Sequence, residues 1–401
     1  MTQTPVHAPD SASRERARQA NSEGMVAMRS GDPLAAARAF ARATEADPQA
    51  VPLWNNLAHA HRLLEDHAAE KAALEQALSR DRLDFTAQLR LAQLLQRTGA
   101  EREAFLAWNA VSQLAAQLPE LAPVVGAEVR AGQAWAEAMR QKLARMVDEA
   151  FAGGDRDWDE TDRRRIGAFV DHALGRRQVY PNVCAGVHYP FLPADEFFDR
   201  RHFPWLDRVE AASATIRAEL QALLAAPGEL LRPYVRMEEG TPPNDWSALD
   251  GSLDWGVCFL WEYGEPNRAV LERCPQTAAL LDSLPLARIP GRAPSAFFSL
   301  LRPHKRIPPH TGVTNTRAII HLALDVPPDC GFRVGGETRA WEEGKAFAFD
   351  DTIEHEAWND SDRLRAVLIF DTWNPHLSAH ERAAITRYFA KSDAALPTGL
   401  A

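Results

Sequence analysis

Cysteine is scarce in this sequence, and its spacing argues against two kinds of site. The four cysteines are far apart and include no Cys-x-x-Cys pair; they are Cys184, Cys258, Cys274 and Cys330. A structural zinc site or a redox motif uses closely spaced cysteines, and a disulfide framework belongs to small secreted domains. We therefore expect reduced thiols in a cytosolic protein.

Long apolar runs and an excess of positive charge are also missing. No apolar stretch approaches the length of a membrane span, and residues 1–15 are polar, without the apolar centre of a signal peptide. The formal net charge is −10 at pH 7, whereas a general nucleic-acid binder needs clustered Lys and Arg. These absences predict a cytoplasmic protein with no membrane span that does not bind nucleic acid.

A repeat of 34 residues runs through the first third of the chain. The small residues Gly24, Ala58 and Ala92 recur at this period, as do the large residues Phe40, Leu74 and Trp108. Small residues allow two helices to touch, and large ones fill the space beside them. The pattern resembles the tetratricopeptide repeat, a helical hairpin that buries its apolar face by stacking. This resemblance implies a solenoid that binds a polypeptide, with a dimerisation surface or a rigid spacer as alternatives.

Short apolar runs separated by turn residues dominate the second half. The predicted strands are Gly256–Tyr263, Ala296–Leu301, Thr316–Leu324, Lys345–Phe349 and Arg365–Thr372, and one helix is predicted over Pro204–Ala225. Such strands indicate a β-sandwich or jelly roll. The fold class is therefore multidomain, an α-helical repeat solenoid followed by an all-β domain. The predicted segments are a tail 1–15, repeats 16–150, a helical linker 151–185, the β domain 186–390 and a tail 391–401.

Two histidines and an arginine lie in the order found in iron oxygenases. His310 and His355 are 45 residues apart (355 − 310), and Arg365 follows after ten (365 − 355). Fe(II) oxygenases commonly hold iron with two His and one carboxylate. Where a His-x-Asp/Glu pair is expected, this chain has Gly312. Asp350, Asp351 and Glu354 are alternative sources of the carboxylate, although Asp351 fits better as a residue that orients its loop.

Arg365 is predicted to anchor the co-substrate of such an iron site. Strand alternation places it on one face with Val367 and Ile369. If that face points into the barrel, its guanidinium suits the far carboxylate of 2-oxoglutarate, because Arg binds carboxylates in a planar, bidentate manner. Ser299, on the strand that leads to His310, is placed to add a hydroxyl donor.

Residues from about 181 to 385 resemble the aspartyl/asparaginyl β-hydroxylase family, whose members are Fe(II)- and 2-oxoglutarate-dependent oxygenases with a double-stranded β-helix core. The matching motifs are Asp254-Trp255, Leu260-Trp261, Cys274-Pro275, Phe298-Ser299, Pro309-His-Thr-Gly-x-Thr-Asn-x-Arg317, His321-Leu322, Trp341-Glu-Glu-Gly344, Phe349-Asp-Asp351, Glu354-His-Glu356 and Asp371-x-Trp373-x-Pro375. The family binds iron with two histidines, a glycine standing in place of the carboxylate. The resemblance also allows a helical repeat domain ahead of the catalytic one.

By this resemblance, His310 and His355 are the iron ligands. The residues that would hold 2-oxoglutarate are Arg365, Ser299, His321 and Trp255. Arg317 would contact an acidic group of the substrate; its alternative role is to neutralise a neighbouring acid. Animal members carry a second arginine two residues before the position of His321, and this chain has Ile319 there.

The function implied is O2-dependent hydroxylation of an aspartyl- or asparaginyl-type residue in a peptide, protein or carrier-bound substrate. The same chemistry on a lipid acyl chain or a small molecule is one alternative. A non-catalytic binding protein, with the repeats as scaffold, is another. Zinc hydrolysis is disfavoured because nothing resembles a three-ligand site with an activated water.

Overall fold

The computed structural model describes residues 10–152 and 157–395. Its contacts divide the chain into two compact units, the first ending and the second beginning within the stretch 152–157. Helices at both ends include parts of the segments predicted as tails, because the first helix begins at Ser11 and the last extends to Ala395. The remainder of those two predicted tails, 1–9 and 396–401, lies outside the described residues.

The described part of the first unit is helical. Its helices are α1 (Ser11–Arg29), α2 (Pro33–Ala46), α3 (Val51–Leu63), α4 (His67–Arg80), α5 (Phe85–Arg97), α6 (Glu101–Ala115) and α7 (Pro123–Phe151). Consecutive helices pack against each other as hairpins. This arrangement confirms the helical repeat region that the period of 34 residues predicts.

A small and a large residue of the repeat meet in the first hairpin. A Cβ atom on Gly24 would lie 2.5 Å from the Phe40 ring, so this position has no room for a side chain. Caps repeat as well: the Asp32 and Asp66 side chains accept the backbone N–H three residues on, at the starts of α2 and α4. Ala100 occupies the matching position before α6 and cannot cap. The third hairpin, α5 with α6, therefore lacks the aspartate cap at the start of its second helix.

The second unit combines helices with antiparallel strands. Its helices are α8 (Glu160–Ala173), α9 (Leu206–Ala211), α10 (Ser213–Ala225), α11 (Arg268–Arg273), α12 (Pro275–Asp282) and α13 (Ala379–Ala395). Its strands are β1 (Arg232–Pro233), β2 (Trp255–Glu262), β3 (Glu265–Pro266), β4 (Ala296–Leu301), β5 (Lys305–His310), β6 (Arg317–Asp325), β7 (Cys330–Val334), β8 (Glu337–Arg339), β9 (Ala346–Phe349), β10 (His355–Asn359) and β11 (Arg365–Trp373).

Among the described residues, these strands form two sheets. The larger has the order β1-β2-β4-β11-β6-β9, with β3 beside β2, and the smaller has the order β5-β10-β7-β8. The pairings are nested: β4 pairs β11, β5 pairs β10, β6 pairs β9 and β7 pairs β8, so successive pairs alternate between the sheets. Each sheet therefore receives strands from both ends of the nested segment.

Alternation along the strands of the larger sheet produces two cores. Side chains such as Cys258, Phe298 and Leu368 face a core shared with α9–α12. The alternate residues, including Val257 and Val367, face the smaller sheet. Polar residues that lie on this second face are therefore directed between the two sheets.

Candidate active site

Two strands of the smaller sheet bring the predicted histidine pair together. His310 is the last residue of β5 and His355 the first of β10, and the two are direct register partners. Their ring centroids are 4.0 Å apart. From the sequence, His310 is expected in a loop between the predicted strands Ala296–Leu301 and Thr316–Leu324, and this expectation is wrong. The two prolines near the end of β5 hide its strand character, and they are tolerated there because β5 is an edge strand.

The backbone fixes the tautomer of both rings in the same way. His310 Nδ1 lies 2.8 Å from the carbonyl oxygen of Pro308, and His355 Nδ1 lies 3.0 Å from that of Ile353. A carbonyl can only accept, so each Nδ1 carries the proton and each Nε2 keeps a free lone pair. Burial lowers the pKa of both imidazoles, that of His355 well below its usual value. Both rings are therefore neutral donors suited to a metal.

A carboxylate fills the space beside Gly312. A Cβ atom on Gly312 would lie 2.1 Å from Asp351 Oδ2, and the Gly312 N–H donates to the Asp351 main-chain oxygen at 2.6 Å. Asp351 Oδ1 is buried without a hydrogen-bond partner, and burial raises the pKa of this carboxyl to about 7. The acidic group missing from the His-x-Asp/Glu position is thus replaced in space by one from the β9–β10 loop.

The other two candidate carboxylates are already engaged. Asp350 accepts from the backbone and hydroxyl of Thr352 and from Asn182, and Glu354 pairs with Arg333 at 2.9 Å. Within the described residues no three His, Cys, Asp or Glu side chains converge as a ready metal site. A metal held here would have two protein nitrogens as direct ligands.

Exchanging Gly312 for alanine should destabilise the second unit by roughly 1–3 kcal/mol, because the new methyl group requires Asp351 to move in a packed site. Chemical unfolding measures this change. Gly167→Ala is the control, since no atom lies within 4 Å of a Cβ there and α8 should gain up to about 1 kcal/mol. Equal stability of Gly312→Ala and wild type would contradict the proposed close contact.

Arg365 is a buried cation without an acidic partner among the described residues. Its side chain is 1% exposed, and its Nη1 donates to Ser299 Oγ at 3.1 Å while Nε has no partner. The guanidinium lies 4.8 Å from the Trp341 ring centroid. Burial lowers the pKa of Arg365 to about 10, so it stays charged at neutral pH. An unpaired buried charge is costly, which indicates a site built for an anion.

Ser299 lies beside the Arg365 guanidinium and accepts two hydrogen bonds. Its Oγ accepts from Arg365 and from Trp255 Nε1, the latter at 3.0 Å. Because both neighbours can only donate, the hydroxyl proton of Ser299 is free for another acceptor. His321 lies on the adjacent strand β6, is 4% exposed, and has an Nδ1 with no partner. Burial lowers the pKa of His321 well below its usual value, so this ring is also neutral.

One cavity of about 490 Å³ joins these groups, a size typical of ligand sites. Six of the seven site residues predicted from the sequence line it: His310, His355, Arg365, His321, Trp255 and Arg317. The seventh, Ser299, contacts two of them from behind. The chain therefore brings all seven together, with the histidine pair and the buried arginine in one space.

Arg317 fills one of the two roles that the sequence left open. Its Nη1 donates to Asp371 Oδ2 at 2.6 Å, so it neutralises a buried acid. It also lines the cavity and keeps further guanidinium donors. Ile319, two residues further along β6, lines the cavity too and supplies an apolar surface there.

The sequence alone does not indicate the aromatic wall of the cavity. The Tyr234 ring stacks on Trp255 with centroids 3.9 Å apart, and Phe259 and Phe297 continue this wall. Alternation on β2 and β4 puts Trp255 and Phe259 on one face, and Phe297 with Ser299 on the neighbouring strand. Tyr234 lies outside the regular strands and had no such signal.

Comparisons with known proteins agree with this arrangement. Residues 210–375 match the family model described as aspartyl/asparaginyl beta-hydroxylase, and residues 51–82 match a tetratricopeptide repeat. Both resemblances suggested by the sequence are therefore confirmed. Within the described residues, no helix is long and apolar enough to cross a membrane.

Three relatives illustrate the range of similar proteins. The aspartyl/asparaginyl beta-hydroxylase of Mus musculus is 38% identical over 33% of this chain and 18% of its own length. The ornithine lipid ester-linked acyl 2-hydroxylase of Rhizobium tropici is 34% identical over 47% and 64%. The aspartate beta-hydroxylase domain-containing protein 2 of Rattus norvegicus is 32% identical over 50% and 57%. The matched region spans less than two thirds of each relative.

Proposed function

Because residues 210–375 belong to the aspartyl/asparaginyl β-hydroxylase family, we propose that this protein is an Fe(II)- and 2-oxoglutarate-dependent dioxygenase. Its substrate is an aspartyl- or asparaginyl-type residue in a peptide, protein or carrier-bound molecule. The observation that carries the proposal is a pair of neutral, tautomer-fixed histidines in one cavity with an unpaired buried arginine. The nested strand pairing supports a double-stranded β-helix for the second unit.

The residues of the cavity fit both absent groups. His310 and His355 each offer Nε2 as a neutral imidazole ligand, which suits Fe(II). Arg365 and the Ser299 hydroxyl offer donors to the far carboxylate of 2-oxoglutarate, and Trp255 fixes Ser299 from the opposite side. His321 lies between these two ends and can contact the co-substrate. When bound, iron and 2-oxoglutarate supply with O2 the oxidant for an unactivated C–H bond.

The overall reaction balances without another reductant. One O2 and one 2-oxoglutarate convert R–H into R–OH, with succinate and carbon dioxide as the other products. The protein contributes the positions of the reactants and a largely apolar wall that keeps water from the reacting carbon. Asp351, beside Gly312 and near the histidine pair, offers a carboxylate that can hold a water molecule or a substrate N–H. Arg317 offers its remaining donors to an acidic substrate group.

The first unit supports a polypeptide as substrate or partner. Residues 51–82 match a tetratricopeptide repeat, and such solenoids present concave surfaces to other chains. A lipid acyl chain is the second candidate substrate, because the relative from Rhizobium tropici is named an acyl 2-hydroxylase and the aromatic wall of Tyr234, Phe259 and Phe297 offers an apolar surface.

Purified full-length protein with Fe(II) and 2-oxoglutarate should form succinate in an O2-dependent manner. Addition of the true substrate should raise the rate and increase the substrate mass by one oxygen atom. Asp- and Asn-containing peptides and ornithine lipids form the two arms of this assay. If protein that has bound iron forms no succinate, with or without substrate, the proposed function is wrong.

A further inference from the structure

The cavity is lined by four arginines that differ in how their charge is balanced. They are Arg232, Arg236, Arg317 and Arg365. Arg232 forms an ion pair with Glu262 and lies over the Phe259 ring at 4.7 Å. Arg317 forms its ion pair with the buried Asp371. Two of the four positive charges are therefore already neutralised by the protein.

The two remaining arginines lie in opposite environments. Arg365 is fully buried, and the proposed function assigns it to the carboxylate of 2-oxoglutarate. Arg236 is exposed. In the described part of the chain, its side chain forms no ion pair, hydrogen bond or ring contact, although Glu238 and Glu239 follow closely in sequence. Arg236 is thus an unpaired cation on the solvent-accessible side of the cavity.

The backbone that carries Arg236 is held firmly although the side chain is free. The Tyr234 N–H donates to the Trp255 carbonyl at 3.0 Å, and the Gly251 N–H donates to the Val235 carbonyl at 3.1 Å. On the other side, the Met237 N–H donates to Asp250 Oδ1 at 2.8 Å. Three hydrogen bonds within four residues fix the position of the Arg236 Cα atom, so the guanidinium explores only the rim of the cavity.

We infer that Arg236 is a specificity-determining residue, which binds an acidic side chain that flanks the hydroxylated residue of a peptide substrate. The inference rests on the proposed function and adds a second acidic group to the substrate. One isolated guanidinium suits a single carboxylate, whereas phosphate-rich ligands require several clustered cations. The exposed half of Tyr234, two residues earlier, offers a flat surface for the aliphatic part of the same flanking side chain.

Peptide affinity tests this inference independently of turnover. Three fluorescent peptides differ only in the residue beside a central Asp, which is Glu, Gln or Lys. They are titrated into the full-length protein with Mn(II) and 2-oxoglutarate, which permit binding without hydroxylation. Wild type should bind the Glu peptide about threefold more tightly than the Gln peptide, as for a solvent-exposed ion pair, and the Lys peptide most weakly.

Arg236→Glu should reverse this order in favour of the Lys peptide, and Arg236→Gln should remove the preference. Arg268→Glu is the matched control, because this exposed arginine on α11 carries the same charge change away from the cavity. The inference is overturned if Arg236→Glu ranks the peptides as Arg268→Glu does, or if none of the peptides binds. If the enzyme assay gives no succinate but the order of peptide affinities is as expected, the proposed reaction is wrong and the contact of Arg236 with the flanking acidic side chain still holds.

Discussion

His355→Ala is expected to lose at least 100-fold in Fe(II)-dependent succinate formation. Mutation of residues that only orient metal ligands typically costs 10–100-fold, and here one of two proposed protein ligands disappears. Within the described residues, no group of three or more His, Cys, Asp or Glu side chains is placed to hold a metal, so His310 would remain as the one proposed ligand. Iron content after desalting and succinate formation under saturating 2-oxoglutarate measure the two losses separately.

His380→Ala provides the control for this experiment. His380 is exposed on α13, so the change removes a histidine from the same unit without altering the cavity. It should keep wild-type iron content and turnover. A His355→Ala variant that is folded by circular dichroism and retains wild-type iron-dependent turnover would disprove the assignment of the metal site.

Arg365→Met should weaken 2-oxoglutarate binding on the order of 100-fold. Removal of one partner from a buried, hydrogen-bonded charge pair costs about 2–5 kcal/mol, and each 1.4 kcal/mol is tenfold in affinity. Without co-substrate, the same variant should unfold at the same temperature as wild type or higher. The reason is that methionine fills a similar space without the cost of burying an unpaired charge.

Thermal unfolding with and without 2-oxoglutarate distinguishes these effects. With Mn(II) present, 2-oxoglutarate at 100 times the wild-type dissociation constant should stabilise wild type by about 2.7 kcal/mol and Arg365→Met, with its 100-fold weaker affinity, by only about 0.4 kcal/mol. Arg268→Met, which alters an exposed arginine, should respond like wild type. An unaltered 2-oxoglutarate response in Arg365→Met would show that the anion binds elsewhere.

Strong local patterns predicted much of the fold. The strand Ala296–Leu301 has the predicted bounds, and β11 extends the predicted strand by one residue, because both are continuous apolar runs. The period of 34 residues predicted the helical hairpins, since each hairpin carries a small and a large residue at the same two positions. Arg365, Val367 and Ile369 do share the inner face of β11, as alternation predicts.

Short or polar elements were missed for physical reasons. The strand β5 has the sequence Lys-Arg-Ile-Pro-Pro-His and shows little strand propensity; pairing with β10 determines its conformation. The helices α11 and α12 have six and eight residues, too few for a clear periodic pattern. The predicted helix Pro204–Ala225 is in fact two helices, α9 and α10, which meet at Ala212.

Some features of the candidate site were predictable from the sequence, and others depend on the fold. The two histidines and Arg365 belong to contiguous motifs, so the order of residues along the chain is enough to predict that they line one cavity. The contact of Gly312 with Asp351 joins residues 39 positions apart (351 − 312). Such a contact depends on how β5 and the β9–β10 loop meet in space. The sequence likewise does not show which arginines of the cavity have an acidic partner. In the described structure Arg232 pairs with Glu262 and Arg317 with Asp371, whereas Arg236 has no such partner.

The carbonyl oxygens of Pro308 and Ile353 hold the rings of His310 and His355, and this has an evolutionary consequence. Side-chain substitutions cannot delete a main-chain acceptor. Residues around the cavity can therefore change during divergence while both imidazoles keep the same proton arrangement. Proteins similar to this chain are named for aspartyl/asparaginyl and for lipid acyl hydroxylation, and a pair of rings held by the backbone would tolerate such a difference in substrate.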